Sequence, residues 1–308
     1  MGGEILVLGA GGFIGRHLVR RLARQGERVI AVSRSSIEFG HPNVETVVAG
    51  LREPEDFTPY VARSRAVAYL ASTSTPGTSA GRPLCELVDN LEPLASLLQV
   101  LQEHAGVELL YLSSGGSLYT STGQMAATEA DAVQPRSYHG AGKIAAEYFI
   151  STWCTQYSGR ATILRPSNVY GPGQRERAGF GIVPAAFGKM SRGETLHIWG
   201  DGSTVRDYFY IDDMMDLAGT ILATPMSGGA RIVNACSGIG VSLNELFAAM
   251  EAVSGRPLRR TYEHGRALDA SRVMMDRTLA QTRYGCLSVT PLHEGLERTW
   301  DWFNTITQ

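Results

Sequence analysis

Glycines recur at positions 9, 12 and 15 in the run Gly9-Ala10-Gly11-Gly12-Phe13-Ile14-Gly15. Residues without a β-carbon let a backbone turn tightly and approach a ligand closely, and the amides that open a following helix attract a pyrophosphate. Such a run suits dinucleotide binding when it follows a strand and opens a helix. Farther along, Val32-Ser33-Arg34-Ser35 stands where a carboxylate would hold the ribose hydroxyls of NAD. A hydroxyl followed by a guanidinium suits a 2′-phosphate, which favours NADP over NAD. Arg34 could instead stack on an adenine or face solvent.

The elements that must position these residues are legible as short apolar, β-branched runs at 5–8, 28–33, 44–49, 66–71, 108–113, 161–165 and 231–235. Helical spacing lies between most of them, as in Ile14, Leu18, Val19, Leu22 and in Leu91, Leu94, Leu98, Leu101. Strands alternating with helices imply a doubly wound α/β fold, a parallel Rossmann sheet with helices on both faces. The alternation weakens after Pro166, where Gly171-Pro172-Gly173 and Gly179-Phe180-Gly181 interrupt the chain. We expect a dinucleotide-binding domain over 1–165, returning at about 210–235, and a smaller C-terminal substrate-binding lobe over 166–209 and 236–308.

Composition narrows the partners. With 28 Lys and Arg against 30 Asp and Glu, the net charge of −2 over 308 residues offers no field for nucleic acid or anionic lipid. The cysteines, Cys85, Cys154, Cys236 and Cys286, are too dispersed for a zinc site or a redox dithiol, which fits a reducing cytoplasm. His17, His41, His104, His197, His264 and His293 lack metal-ligand spacing, so no metal is expected. Neither a signal sequence nor a membrane span is evident, and we expect a cytoplasmic protein.

Several later segments resemble the extended short-chain dehydrogenase/reductase family, in particular its nucleotide-sugar epimerases, dehydratases and 4-ketoreductases. They are Leu164-Arg165-Pro166-Ser167-Asn168-Val169-Tyr170-Gly171-Pro172, then Trp199-Gly200-Asp201-Gly202 running into Val205-Arg206-Asp207-Tyr208 and Ile211-Asp212-Asp213, and lastly Arg266-Ala267-Leu268-Asp269. The resemblance implies that Asn168 and Arg206 hold the diphosphate of a nucleotide-diphosphate sugar and that Arg266 with Asp269 addresses its nucleotide. Trp199 could line the sugar pocket, as could Phe180, although core packing explains either aromatic equally well. Phe13, Ile14, Leu70, Ala71, Ser72, Asn90, Ser113 and Pro166 would join Gly9, Gly12, Gly15, Ser33 and Arg34 around the cofactor. The resemblance also implies a homodimer, through helices containing 94–101 and 144–150.

That family's chemistry uses a Ser or Thr, a Tyr and a Lys, with the Tyr four residues before the Lys on one helix. The Lys holds the nicotinamide ribose and the phenol exchanges a proton with the substrate hydroxyl. Here the position four before Lys143 is His139, while Tyr138 is five away and rotated about 140° off the shared face. Aligning Tyr119 puts Gly115 at the Ser or Thr position, with Ser114 one residue early. Three readings stay open. Gly140 and Gly142 could loosen the helix so that Tyr138 still reaches the site, with Ser114 or Ser117 supplying the hydroxyl. His139 could transfer the proton itself, its ordinary pKa being near neutrality. Or the site has lost its redox chemistry and the protein is a dinucleotide-binding sensor or scaffold. Among active members, a C4 epimerase working through a 4-keto intermediate is favoured narrowly over an NADPH-dependent 4-ketoreductase.

Overall fold

A computed structural model describes residues 3–120, 125–177, 180–265, 270–285 and 289–307. Strands β1 (Glu4–Leu8), β2 (Val29–Ser33), β3 (Val44–Val48), β4 (Ser64–Tyr69), β5 (Glu108–Leu112) and β6 (Arg160–Pro166) form a seven-stranded sheet with a later strand, Gly229–Ala235. The order is Gly229–Ala235, β6, β5, β4, β1, β2, β3, and the pairs from β6 through β3 are all parallel. Every residue of β1 and β2 is buried, as a strand covered on both faces requires. β3 departs from that expectation because it is the sheet edge, and its residues are half-buried or exposed.

Neighbours of β1 on its two sides, β2 and β4, lead the chain away in opposite directions, so the order reverses at β1. Ligands of open parallel sheets bind beyond the carboxyl ends of the strands at such a reversal. The glycine run leaves β1 there, and residues 70–72 leave β4 beside it.

The chain divides into two compact units, one of residues 1–114, 137–165 and 215–233, the other of 115–136, 166–214 and 234–308. In the second, the strand Val205–Tyr210 is central, pairing in parallel with Asn168–Tyr170 and Arg272–Val273 and antiparallel with Gly240–Ser242. Residues 115–136 belong to this unit for a visible reason. The Tyr119 hydroxyl donates to Asn234 Oδ1 at 2.9 Å, and Asn234 Nδ2 donates to the Ala127 carbonyl at 3.0 Å. Among the described residues no helix is long and apolar enough to cross a membrane.

Candidate active site

The turn after β1 is built so that side chains are excluded. Gly9 has φ of +88°, and a β-carbon there would lie 2.8 Å from the Ala71 amide nitrogen. One at Gly15 would lie 2.2 Å from the Gly9 carbonyl oxygen, which lets helix Phe13–Arg24 close onto β1. Gly12 caps that helix without any side-chain hydrogen bond, so its opening amides, those of Phe13, Ile14 and Gly15, receive no side-chain acceptor from the cap. This cradle fits a dinucleotide pyrophosphate.

Ser33 is buried at the end of β2 and its hydroxyl donates to the Ser35 carbonyl. Gly11 lies against it, since a β-carbon at Gly11 would be 3.3 Å from Ser33 Cβ. Arg34 is exposed and, among the described residues, makes no ion pair. On the β4 side, Leu70 N donates to the Leu8 carbonyl at 2.9 Å, Ala71 faces Gly9, and Ser72 is exposed.

Helix Tyr138–Tyr157 starts cleanly. Ser137 caps it, its hydroxyl accepting from the Gly140 amide at 3.1 Å, and the Ala141 amide already bonds the Ser137 carbonyl at 2.9 Å. The glycines therefore do not loosen the helix start. Gly142 serves a different purpose: a β-carbon there would lie 2.6 Å from the Glu86 carboxylate, so the glycine admits that buried acid against the helix. With the helix regular, Tyr138 is 47% exposed at its first position, whereas His139 is 7% exposed on the face it shares with Lys143. Tyr138 and Lys143 are not brought together.

Two further side chains complete that face. His139, Lys143 and Glu147 recur every four residues, and all three are buried. Lys143 Nζ donates to the Leu112 carbonyl at 2.8 Å and to the Tyr111 hydroxyl at 3.3 Å. Burial lowers its pKa to about 8, against the opposing pull of Glu86 and Glu147. Burial, and then the Lys143 charge, lowers His139 to about 4, so its ring is neutral at pH 7. Burial also pushes the Tyr111 phenol well above its ordinary value.

Glu147 takes a paired contact from Arg165 of β6, Nε at 3.0 Å and Nη2 at 2.6 Å, and a third bond from the Ser113 hydroxyl at 2.5 Å. The Ser113 hydroxyl is thereby committed to the scaffold. Its amide bonds the Leu164 carbonyl at 2.7 Å. Ser114 follows, half-buried, and Gly115 opens a four-residue helical turn without a hydroxyl. Asn90 lies in a π-helical turn, Leu87–Leu91, a form often found near functional sites. Its Oδ1 accepts from Thr73 N at 2.9 Å and its Nδ2 donates to Ser74 Oγ at 3.1 Å.

In the second unit, Asn168 Nδ2 donates to the Asp207 carbonyl at 2.8 Å. The Asp207 carboxylate accepts from Ser167 Oγ at 2.7 Å, Ser237 N at 2.9 Å and Gly238 N at 2.7 Å. Burial raises its pKa despite those bonds. Asp207 thus braces the Asn168 strand, a role that nothing in its local sequence marks. Arg206 is half-buried beside it and donates to the Val205 carbonyl at 2.8 Å. Pro166, closing β6, is buried. Trp199 and Phe180 are 45% and 39% exposed, too open for core packing. Arg266 and Asp269 lie outside the described residues.

Comparison with known proteins agrees with this construction. A model of the NAD dependent epimerase/dehydratase family matches residues 5–236. The chain is similar to a UDP-glucose 4-epimerase of Mycolicibacterium smegmatis, 29% identical over 317 residues covering 98% of this chain and 99% of that one. A dTDP-4-dehydro-6-deoxy-D-allose reductase of Streptomyces bikiniensis is also 29% identical, over 328 residues covering 100% of this chain and 98% of that one. Among solved structures, a UDP-glucose 4-epimerase with UDP-glucose from Thermotoga maritima matches with a TM-score of 0.90 and 28% identity, over 99% of this chain and 100% of that one. The family match spans the glycine turn, both ends of the His139 to Lys143 face and the Asn168 segment, and the chain belongs to the NAD dependent epimerase/dehydratase family.

Proposed function

We propose that the protein is an enzyme that epimerises a nucleotide-diphosphate sugar at C4 through a 4-keto intermediate, with His139 in the role its relatives give to tyrosine. The observation that carries this reading is the buried pair of His139 and Lys143, four residues apart on one face of an unbroken helix. A nicotinamide dinucleotide bound at the glycine turn would accept hydride from C4 and return it. The neutral His139 ring takes the hydroxyl proton as the keto group forms and gives it back on reduction. Lys143 holds the ribose, and Asn168 and Arg206 take the diphosphate, with Arg266 and Asp269 assigned to the nucleotide by resemblance. The unit of residues 1–114, 137–165 and 215–233 carries the cofactor, and the other carries the sugar nucleotide. Purified protein incubated with UDP- and dTDP-sugars should interconvert C4 epimers without added cofactor. Absence of conversion across the panel would refute the epimerase. A 4-ketoreductase is the second reading, favoured by Arg34 and marked by NADPH consumption with a 4-keto sugar.

The cofactor preference proposed is NADP. Arg34 is exposed just past the end of β2, no acid stands at 33–35, and among the described residues no carboxylate pairs with its guanidinium. Arg34→Ala is expected to weaken NADP binding by about tenfold, the worth of one charge-assisted hydrogen bond, and to leave NAD binding unchanged. Calorimetry with both cofactors checks this, and equal losses for both would exclude a 2′-phosphate contact.

We also propose a cytoplasmic homodimer. Helices Glu92–Gln102 and Tyr138–Tyr157 flank a surface groove lined by Leu98, Tyr148, Phe149 and Tyr157, whose three aromatics are 69%, 49% and 41% exposed. Exposed aromatics in one patch mark an association surface. Sedimentation should find a dimer that Tyr148→Glu converts to monomer, and a monomeric wild type would exclude it.

A further inference from the structure

His139 is not alone in its pocket. Its Nδ1 lies 2.9 Å from Ser74 Oγ, and Ser74 Oγ lies 2.5 Å from Oε2 of the buried Glu86. Asn90 Nδ2 stands 3.1 Å from the same hydroxyl. The amide orientation of Asn90 is settled by its other side, because Thr73 N can only donate and so faces Oδ1. Asn90 therefore donates to Ser74.

A hydroxyl has one hydrogen and two lone pairs. Glu86, as a carboxylate, can only accept, so the Ser74 hydrogen goes to it. One lone pair takes the Asn90 amide, which leaves the other for His139. The histidine must then donate from Nδ1, and the neutral ring keeps its free lone pair on Nε2. A separate contact holds the backbone: the His139 amide donates to Ser79 Oγ at 3.2 Å.

We propose that Glu86, acting through Ser74, is the positioning residue that holds the His139 ring with its proton on Nδ1 and its lone pair on Nε2. This rests on the reading of His139 as the acid/base. In the step itself the sugar O–H bond breaks and an N–H bond forms at Nε2, while Nδ1 keeps its proton. The imidazolium so formed faces a carboxylate one hydroxyl away, and return of the proton to the sugar oxygen restores the neutral ring. The charged groups around His139 are Glu86, from the turn Pro83–Glu86, and Lys143 on its own helix, while the loop between β4 and that turn contributes the hydroxyls of Ser74 and Ser79. A carboxylate one hydroxyl away favours the imidazolium by simple Coulomb attraction, against the Lys143 charge that disfavours it. Neither Ser74 nor Glu86 matches a position that the family resemblance singled out.

Nitrogen NMR of the full-length protein labelled with 15N-histidine tests this without requiring turnover. The His139 signals are identified by their loss in His139→Gln. The wild type should show a protonated Nδ1 and a bare Nε2. Ser74→Ala should give mixed tautomers, and Ser74→Thr, which keeps the hydroxyl, should restore the single form. Glu86→Gln still offers an oxygen to Ser74, so the tautomer should persist while His139 titrates at lower pH and kcat falls by about tenfold or more. Thermal melting confirms that each variant is folded. A wild-type proton on Nε2, or a Glu86→Gln protein whose His139 titrates unchanged, would overturn the proposal. Absent turnover with these signals intact would instead refute the epimerase reading alone.

Discussion

His139→Ala is expected to lower kcat by about 10²- to 10⁴-fold, the range for a lost general acid/base, while Tyr138→Phe turns over as the wild type does. The contrast follows from burial: His139 shares its face with Lys143, and Tyr138 points off it, half-exposed. The pH profile gives a second readout. Burial and Lys143 place the ring's pKa at about 4, so the base is present above that pH and lost as pH falls through it. Lys143, lowered by burial to about 8, carries its charge below that pH and loses it above, which sets the alkaline limb. Activity should therefore hold between about 4 and about 8. Comparable losses in the two variants would remove His139 from the acid/base role.

Glu147→Ala should destabilise the fold by about 3 to 5 kcal/mol, the cost of leaving one buried partner of an ion pair uncompensated. Arg165 and Glu147 are both nearly inaccessible, and their paired contact ties helix Tyr138–Tyr157 to β6 while also anchoring Ser113. Replacing both partners by apolar residues, as in Arg165→Met with Glu147→Leu, should recover much of the loss, because no charge is then left buried. Urea unfolding of the single and double variants measures both. A single-variant loss below about 1 kcal/mol would put the pair in the class of exposed bridges and refute the anchoring role.

The sheet was legible because its signal is local. Runs such as 5–8 and 28–33 are apolar on both sides of the strand, and a buried parallel sheet demands that of each strand separately. The glycine turn was legible for the same reason, its spacing and its context lying within a few consecutive residues. That His139 shares the buried face of Lys143 also follows from counting back four residues along one helix. What stayed hidden depends on distant pairs. Glu86 and Ser74 carry no local mark, and only the approach of their loop to helix Tyr138–Tyr157 gives them a role. Asp207 likewise carries no local mark of its role, because its carboxylate accepts from Ser167, Ser237 and Gly238, two of them some thirty residues away. One clue was available: Glu147 continues the four-residue spacing of His139 and Lys143, and a third polar residue on a buried stripe asks for a partner.

Gly142 ties two distant positions into one inheritable unit. A β-carbon at 142 would lie 2.6 Å from the Glu86 side chain, so alanine there displaces the carboxylate, and a displaced carboxylate loosens its hold on Ser74. Descendants of this chain should thus keep glycine and glutamate together or surrender both in the same lineage. Moving histidine at 139 into a relative without transplanting that pair would deliver an imidazole free to flip its proton to the wrong nitrogen.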